Sequence, residues 1–316
     1  MFGKRPSQDP QAELKQAQSI QNLEQGGLPV SAIERLQNQF NLQNTPQHIF
    51  TSDLSSNEFL LARHAGYEPL GQVMGSCIFH VGYQWTNYGG YGWTGLGQEL
   101  DTITRARYTA RHLAVSRIQQ EASLLGATGI IGVRLEQKVY DWGADLIEFM
   151  MVGTAIREID APVKRNLPFV SDLSGEDFWA LHQAGYHPVG FAMGNCTYMQ
   201  LATWRTQSAM TGGLFGASWM NQELTDYTQA LYTTRSLAMS RMDAEAHSVG
   251  ATGVVGVQLD MDVMEGEYDN QGQTQEYMLF NYSAVGTAIA PYEAVHKPIQ
   301  PGLTVTLFDN PKGVLL

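Results

Sequence analysis

The chain spells nearly the same passage twice, and this duplication limits its fold more than any other feature. Phe50-Thr-Ser-Asp-Leu-Ser returns as Phe169-Val-Ser-Asp-Leu-Ser, Ala65-Gly-Tyr-Glu-Pro-Leu-Gly as Ala184-Gly-Tyr-His-Pro-Val-Gly, and Met74-Gly-Ser-Cys as Met193-Gly-Asn-Cys, all at one constant spacing. Further along, Gln98-Glu-Leu returns as Gln222-Glu-Leu, Gly126-Ala-Thr-Gly-Ile-Ile-Gly-Val as Gly250-Ala-Thr-Gly-Val-Val-Gly-Val, and Val152-Gly-Thr-Ala-Ile as Val285-Gly-Thr-Ala-Ile. The spacing widens from one group to the next, as insertions in surface loops allow. The repeats run over 50–156 and 169–289. Each is long enough to bury its own core, so the pattern is a domain duplication and not a solenoid. Three segments lie outside them. Residues 1–49 form a polar, Gln-rich N-terminal arm with one amphipathic stretch from Val30 to Phe40, expected as a mobile arm with a short helix. Residues 157–168 are a linker carrying Pro162 and Pro168, and 290–316 are a C-terminal extension whose Leu303-Thr-Val-Thr-Leu-Phe alternates like a strand.

Composition supports two ordinary domains. Of 316 residues, 43% are hydrophobic and 16% charged, enough apolar material for true cores. Nineteen Lys and Arg against 31 Asp and Glu leave a formal charge of −12, which disfavours a broad nucleic-acid or anionic-membrane surface because both need clustered cations. The opening MFGKRPSQDP leads into polar sequence without an apolar core, and no run of 18 apolar residues occurs. A classical signal peptide and a membrane-spanning helix are therefore not expected. The expectation is a cytoplasmic protein with no nucleic-acid partner and no membrane insertion.

Within each repeat the signals come in one order. Ser55-Ser-Asn-Glu58 and Ser174-Gly-Glu-Asp177 each place a hydroxyl three residues ahead of an acid, an N-cap signature that is weaker in the second copy because Asp is shorter. Gly66 and Gly185 then supply the left-handed stop of a short helix. A long strand with glycine bends follows from Tyr67 to about Tyr83. After the Gly- and aromatic-rich passages beginning at Tyr88 and Thr211, a long helix is expected over Gln98–Leu125 and Gln222–Val249, with Leu100, Ile103, Ala106, Ala110, Leu113 and Ala114 as its apolar stripe. Ile130-Ile-Gly-Val and Val254-Val-Gly-Val open a buried strand, a polar loop intervenes, and Leu146–Ile156 or Met278–Ile289 closes the unit. The fold class is α+β: two tandem β-α-β-β units, each with one long helix on an antiparallel sheet and a short N-terminal helix.

The junction Glu121-Ala-Ser-Leu-Leu-Gly-Ala-Thr-Gly-Ile-Ile-Gly-Val resembles the hallmark of the YbjQ-like domain family, described as heavy-metal-binding, and Val152-Gly-Thr-Ala-Ile resembles that family's last strand. The resemblance covers both repeats, although the short-helix start is less typical of the single-domain members. It implies a dodecin-like subunit fold that assembles into pentamers, and it carries over no binding residues.

Several residues qualify as chemical candidates. Cys77 and Cys196 occupy equivalent positions, each preceded by a methionine (Met74, Met193), with His80 after Cys77. Met, Cys and His suit soft metals such as copper, and zinc is the second candidate. Side chains alternate along a strand, so Met74 and His80 share a face that Cys77 does not, and a chelate within one strand needs a bulge such as Gly75 permits. The competing assignment is a small buried core thiol. A Cys77–Cys196 disulfide is disfavoured in a reducing compartment, and neither thiol has the surroundings of a catalytic nucleophile in both copies. Arg117 and Glu121 recur as Arg241 and Glu245, and Tyr108 and Arg111 as Tyr232 and Arg235. The first pair is read either as a helix bridge at i,i+4 or as a subunit contact. Trp85, Trp93, Trp204 and Trp219 lie in or near the Gly-rich passages, where interface anchoring competes with stacking of a flat ligand. The acidic stretch from Asp260 to Asp269 lacks EF-hand spacing and is expected as a solvated loop.

These signals converge on a non-enzymatic oligomeric structural or binding protein. Five chains carrying ten domains are the expected assembly, as two stacked five-domain rings or one ring of fused pairs. No cofactor is required. A soft-metal binding or sensing protein and a small-ligand carrier are the alternatives.

Overall fold

The computed structural model describes residues 10–43, 45, 49–81, 97–140, 146–159, 167–211, 221–270 and 273–292. The N-terminal arm contains two helices where one was expected, α1 (Pro10–Glu24) and α2 (Val30–Leu42). They fold back on each other. Gly26, at φ 79°, turns the chain, Lys15 pairs with Glu34 at 2.8 Å, and the Val30 N–H donates to Ser19 Oγ at 3.1 Å. The hairpin is docked and not loose, which corrects the expectation of a mobile arm. Its Leu28 and Leu36 are buried in the core of the first repeat.

The first repeat consists of α3 (Ser56–His64), β1 (Tyr67–His80), the two-residue β2 (Gln98–Glu99), α4 (Asp101–Leu124), β3 (Gly129–Tyr140) and β4 (Leu146–Glu158). The second consists of β5 (Phe169–Val170), α5 (Gly175–Gln183), β6 (Tyr186–Leu201), α6 (Trp204–Thr211), α7 (Thr225–Ser248), β7 (Gly253–Asn270) and β8 (Gln273–Pro291). The α+β class and the tandem β-α-β-β order hold. The strand orders are β1-β4-β3-β5 and β2-β6-β8-β7. The three long strands of each sheet are antiparallel. Each repeat also lends a two-residue strand to the other sheet. Gln98 and Glu99 pair with Met199 and Tyr198, and Phe169 and Val170 run parallel to Gly129 and Ile130.

Local chemistry accounts for these elements. Ser55 and Glu58 make a full reciprocal capping box, whereas Ser174 accepts from the Asp177 N–H without the return bond to the backbone. Gly66, Gly126, Gly185 and Gly250 end their helices at φ between 75° and 85°. Ala106, Ala110, Ala114, Ile118 and Ala122 are buried at helical spacing along α4. Small residues let the helix backbone come down onto the sheet at Gly75, where an added Cβ would meet the Ala114 carbonyl oxygen and lie 2.7 Å from the Ile118 nitrogen. Gly194 sits in the same way under Ala238 and Met242 of α7.

Three expectations need correction. The long helices start at Asp101 and Thr225, because Leu100 (φ −93°, ψ 79°) and Leu224 (φ −85°, ψ 81°) are not helical, and Gln98-Glu99 is a strand. The strand from Tyr67 stops at His80. The acidic stretch from Asp260 lies within β7, where Leu259, Met261 and Val263 alternate with Asp260 and Asp262 at the period of a strand. Trp204 begins a helix, α6. Trp85, Trp93, Trp219, most of both Gly-rich passages, the middle of the linker and the chain beyond Tyr292 lie outside the described residues. No helix among the described residues is long and apolar enough to cross a membrane.

Gly75→Ala and Gly194→Ala are expected to lower stability by about 1–3 kcal/mol each, since the helix must lift off the sheet to admit a methyl group. Denaturant midpoints of the two variants check this, and an unchanged midpoint in either copy rules out the close helix–strand approach there.

Candidate functional site

The most elaborate polar constellation lies between the repeats, and it starts from a backbone problem. β1 is the edge of its sheet, and β6 has only the two-residue β2 on its outer side. Edge strands present unpaired N–H and C=O groups that need partners. In each repeat the long helix supplies them. The Met74 N–H donates to Glu121 at 2.8 Å, and Arg117 donates to the Ser76 carbonyl at 2.6 Å. The second copy repeats this, with Met193 N–H to Glu245 at 3.0 Å and Arg241 to the Asn195 carbonyl at 2.9 Å. The recurrent Arg and Glu are therefore edge-capping groups, and the bridge between them along the helix does not form.

Their remaining valences reach across the junction. Arg111 of the first repeat grips Glu245 of the second through two bonds of 2.8 and 3.0 Å, and Arg241 grips Glu99 at 2.6 and 2.8 Å. Around them the Asn195 N–H donates to Tyr108 Oη at 3.1 Å, the Thr197 N–H to Thr104 Oγ1 at 3.2 Å, and the Leu100 N–H to the Thr197 carbonyl at 2.8 Å. Arg111 is 1% exposed and lies 5.0 Å from the centre of the Tyr108 ring. Arg107 is buried beside them. Burial pushes its pKa down, and the nearby charges of Asp262 and Asp260 oppose that shift. On the other side of the junction, α5 packs on repeat 1, with Phe178 edge-on to Tyr67 at 5.0 Å and the Gly175 N–H donating to Glu58 at 3.1 Å.

The five residues singled out for metal chemistry are distributed differently. β1 stays in register with β4 from Gly71 to His80, and its irregularity lies between Pro69 and Gly71, not at Gly75. Cys77 is thus buried in the core with α4, while Met74 projects from the opposite face, 45% exposed. His80 is exposed at the strand end, and Met193 is fully buried. Cys196 is buried in the second core. Both thiols are free. Among the described residues, no three His, Cys, Asp or Glu side chains are placed to share one metal ion.

The environment also keeps the thiols protonated. Burial pushes Cys77 up, with Arg117 pulling the other way. Burial and the adjacent Glu99 carboxylate push Cys196 up to about 12, and its thiol lies 3.7 Å from Glu99 Oε1. Thiolate is the nucleophile, so protonation together with burial makes both cysteines slow to react with added reagents at neutral pH. A chromogenic disulfide reagent is expected to titrate them only after denaturation. Rapid labelling of the native chain at pH 7 contradicts their burial.

Glu99 behaves in the opposite sense. Burial alone would raise its pKa, but the hydrogen bonds and charge of Arg241, with help from Thr104 and the Cys196 thiol, hold the carboxyl below its ordinary 4.5. The junction's stabilisation is therefore complete above pH 4.5 and is lost as the pH falls through the lower folded value. Glu99→Gln is expected to cost about 1–3 kcal/mol at pH 7, the worth of hydrogen bonds to a charged group. The gap from wild type closes in denaturant titrations below pH 4.5, and a gap that stays constant to pH 3 contradicts this assignment.

The recurrence of Tyr108–Arg111 and Arg117–Glu121 was the sequence signal for this junction. Which Arg meets which Glu was not readable, because the partners lie in different repeats. Comparison with known proteins fits the geometry. The YbjQ family model, described as "Putative heavy-metal-binding", matches residues 68–158 and 207–291. A curated protein of Mycobacterium tuberculosis (strain ATCC 25618 / H37Rv), named as an encapsulin nanocompartment protein, is 43% identical over 212 residues, which cover 66% of this chain and 76% of that protein. The family matches fall on β1 to β4 of the first repeat and on the segment from α6 to β8 of the second. With both repeats matched over more than half its length, the chain belongs to the YbjQ family as a tandem member.

Proposed function

We propose that this chain is a non-enzymatic assembly protein that builds homo-oligomers through its YbjQ-like domains, closing as a ring of five chains and ten domains. The observation that carries this reading is that the Arg–Glu contact between the repeats is one-way. Repeat 1 contributes Glu99, Tyr108 and Arg111, and repeat 2 contributes Arg241, Glu245 and the β6 edge. The corresponding groups of repeat 2 are Glu223, Tyr232 and Arg235. All three are exposed and make no hydrogen bond to the described residues.

Apolar groups on β3 and β7 differ in the same sense. Val133 is 3% exposed, whereas its counterpart Val257 is 37% exposed and the next outward residue on that face, Leu259, 53%. A contact made by two different faces passes from copy to copy and ends in a closed ring or a filament. The relative's printed name, an encapsulin nanocompartment protein, supports an assembly role over a catalytic one. In this reading Cys77 and Cys196 are core thiols.

Light scattering across a concentration series tests it. Multichain species are expected in the wild-type protein, and Arg235→Glu is expected to weaken association about tenfold or more by setting a carboxylate against the acceptor. A single-chain mass at every concentration, unaltered by Arg235→Glu, overturns the reading.

A further inference from the structure

The face of repeat 1 that corresponds to the acceptor face of repeat 2 is already occupied. Glu245 takes Arg111 from the preceding repeat, while the equivalent Glu121 takes Arg35 from α2, at 3.0 Å. Arg241 takes the Glu99 carboxylate, while the equivalent Arg117 takes the carbonyls of Leu23 and Gly27, each at 3.1 Å, from the end of α1 and the turn after it. The α1–α2 hairpin thus supplies substitutes for both anchors of the inter-repeat contact.

The substitutes are poorer in two respects. Neutral carbonyls replace a carboxylate at Arg117, and charge-assisted bonds are the stronger kind. The hairpin also covers the face incompletely. Met74 is 45% exposed and Ile78 63%, against 0% and 1% for their counterparts Met193 and Thr197. A cleft of about 590 Å³ remains under the hairpin, lined by Leu23, Leu28, Met74, Ile78, Leu113 and Arg117 among others.

We propose that the α1–α2 hairpin is a removable cap, holding within one chain the face of repeat 1 that repeat 2 of a second copy fits. This rests on the assembly reading above. The incoming copy brings Arg235 to Glu121, Glu223 to Arg117 and Tyr232 to the Ser76 N–H, as Arg111, Glu99 and Tyr108 do across the junction within the chain. Its Gln222-Glu223 segment adds to the outer edge of β1 at Phe79 and His80, the counterparts of the Tyr198 and Met199 that pair with β2. Gln222 and Glu223 are described and form no strand in the single chain. The hairpin and the second copy compete for the same atoms, so assembly proceeds by displacement.

The full-length chain and two substitutions test this. Arg35→Glu sets a carboxylate against Glu121 and loosens the hairpin. Leu36→Ala loosens it independently by emptying a wholly buried contact. Either variant is expected to shift the assembly midpoint to about tenfold lower concentration by light scattering. Amide exchange is expected to rise in α1 and α2 while the repeats stay protected. Adding Arg235→Glu to either variant is expected to abolish the gain.

Faster exchange in the hairpin without tighter assembly overturns the cap, and if the wild type still assembles through Arg235 the ring reading stands alone. A gain that survives Arg235→Glu also overturns it, because the exposed face is then not the one that was covered. Failure of wild type and both variants to form multichain species removes the assembly reading and the cap with it.

Discussion

Everything in this molecule turns on how an edge strand satisfies its outward backbone groups. β1 and β6 each face away from their sheets, and each long helix bends an Arg and a Glu around the side of the strand to reach one carbonyl and one N–H. Those two side chains can do so only because the helix lies directly on a glycine of the strand beneath it. Having met the backbone, Arg and Glu still have hydrogen-bonding capacity left over in a half-buried setting, where unmet polar groups are costly. A neighbour of opposite charge pattern is the natural remedy. In repeat 2 that neighbour is repeat 1, and in repeat 1 it is the N-terminal hairpin.

Much of this was legible in the sequence for a physical reason. Duplication repeats each signal, so a weak cue such as a capping serine or a stop glycine gains weight by appearing twice. Helix-stop glycines, the Ala-rich stripe and the buried strand at Ile130 read correctly, whereas the matching strand at Val254 is only part-buried and its Val257 is exposed. The misreadings cluster where tertiary contact overrides local pattern. Gln98-Glu99 resembles the first turn of a helix and becomes a strand, because a neighbouring sheet edge offers it backbone partners. The stretch from Asp260 resembles a solvated loop by charge, yet its two-residue alternation is that of a strand, and Arg107 brings a buried opposing charge to Asp260 and Asp262. Polar helices bury little, so composition points to a loose arm, yet Leu28 and Leu36 enter the core and Arg35 reaches Glu121.

The candidate site was half visible. The recurrent pairs Tyr108–Arg111 and Arg117–Glu121 stood out, but a helix bridge and an interface make the same demand on sequence. The two cysteines drew attention by their chemistry, whereas the structure gives their positions to packing. The carboxylate of Glu99 beside Cys196 favours the protonated thiol whatever its neighbours along the strand.

The exchange of two-residue strands has a consequence for the gene. Residues 98–99 complete the edge of the second sheet, and residues 169–170 complete the edge of the first. A deletion that removed either half would strip one β-edge bare in the half that survived, and bare edges invite indiscriminate aggregation. Having traded these strands, each half depends on the other for the partner of one sheet edge.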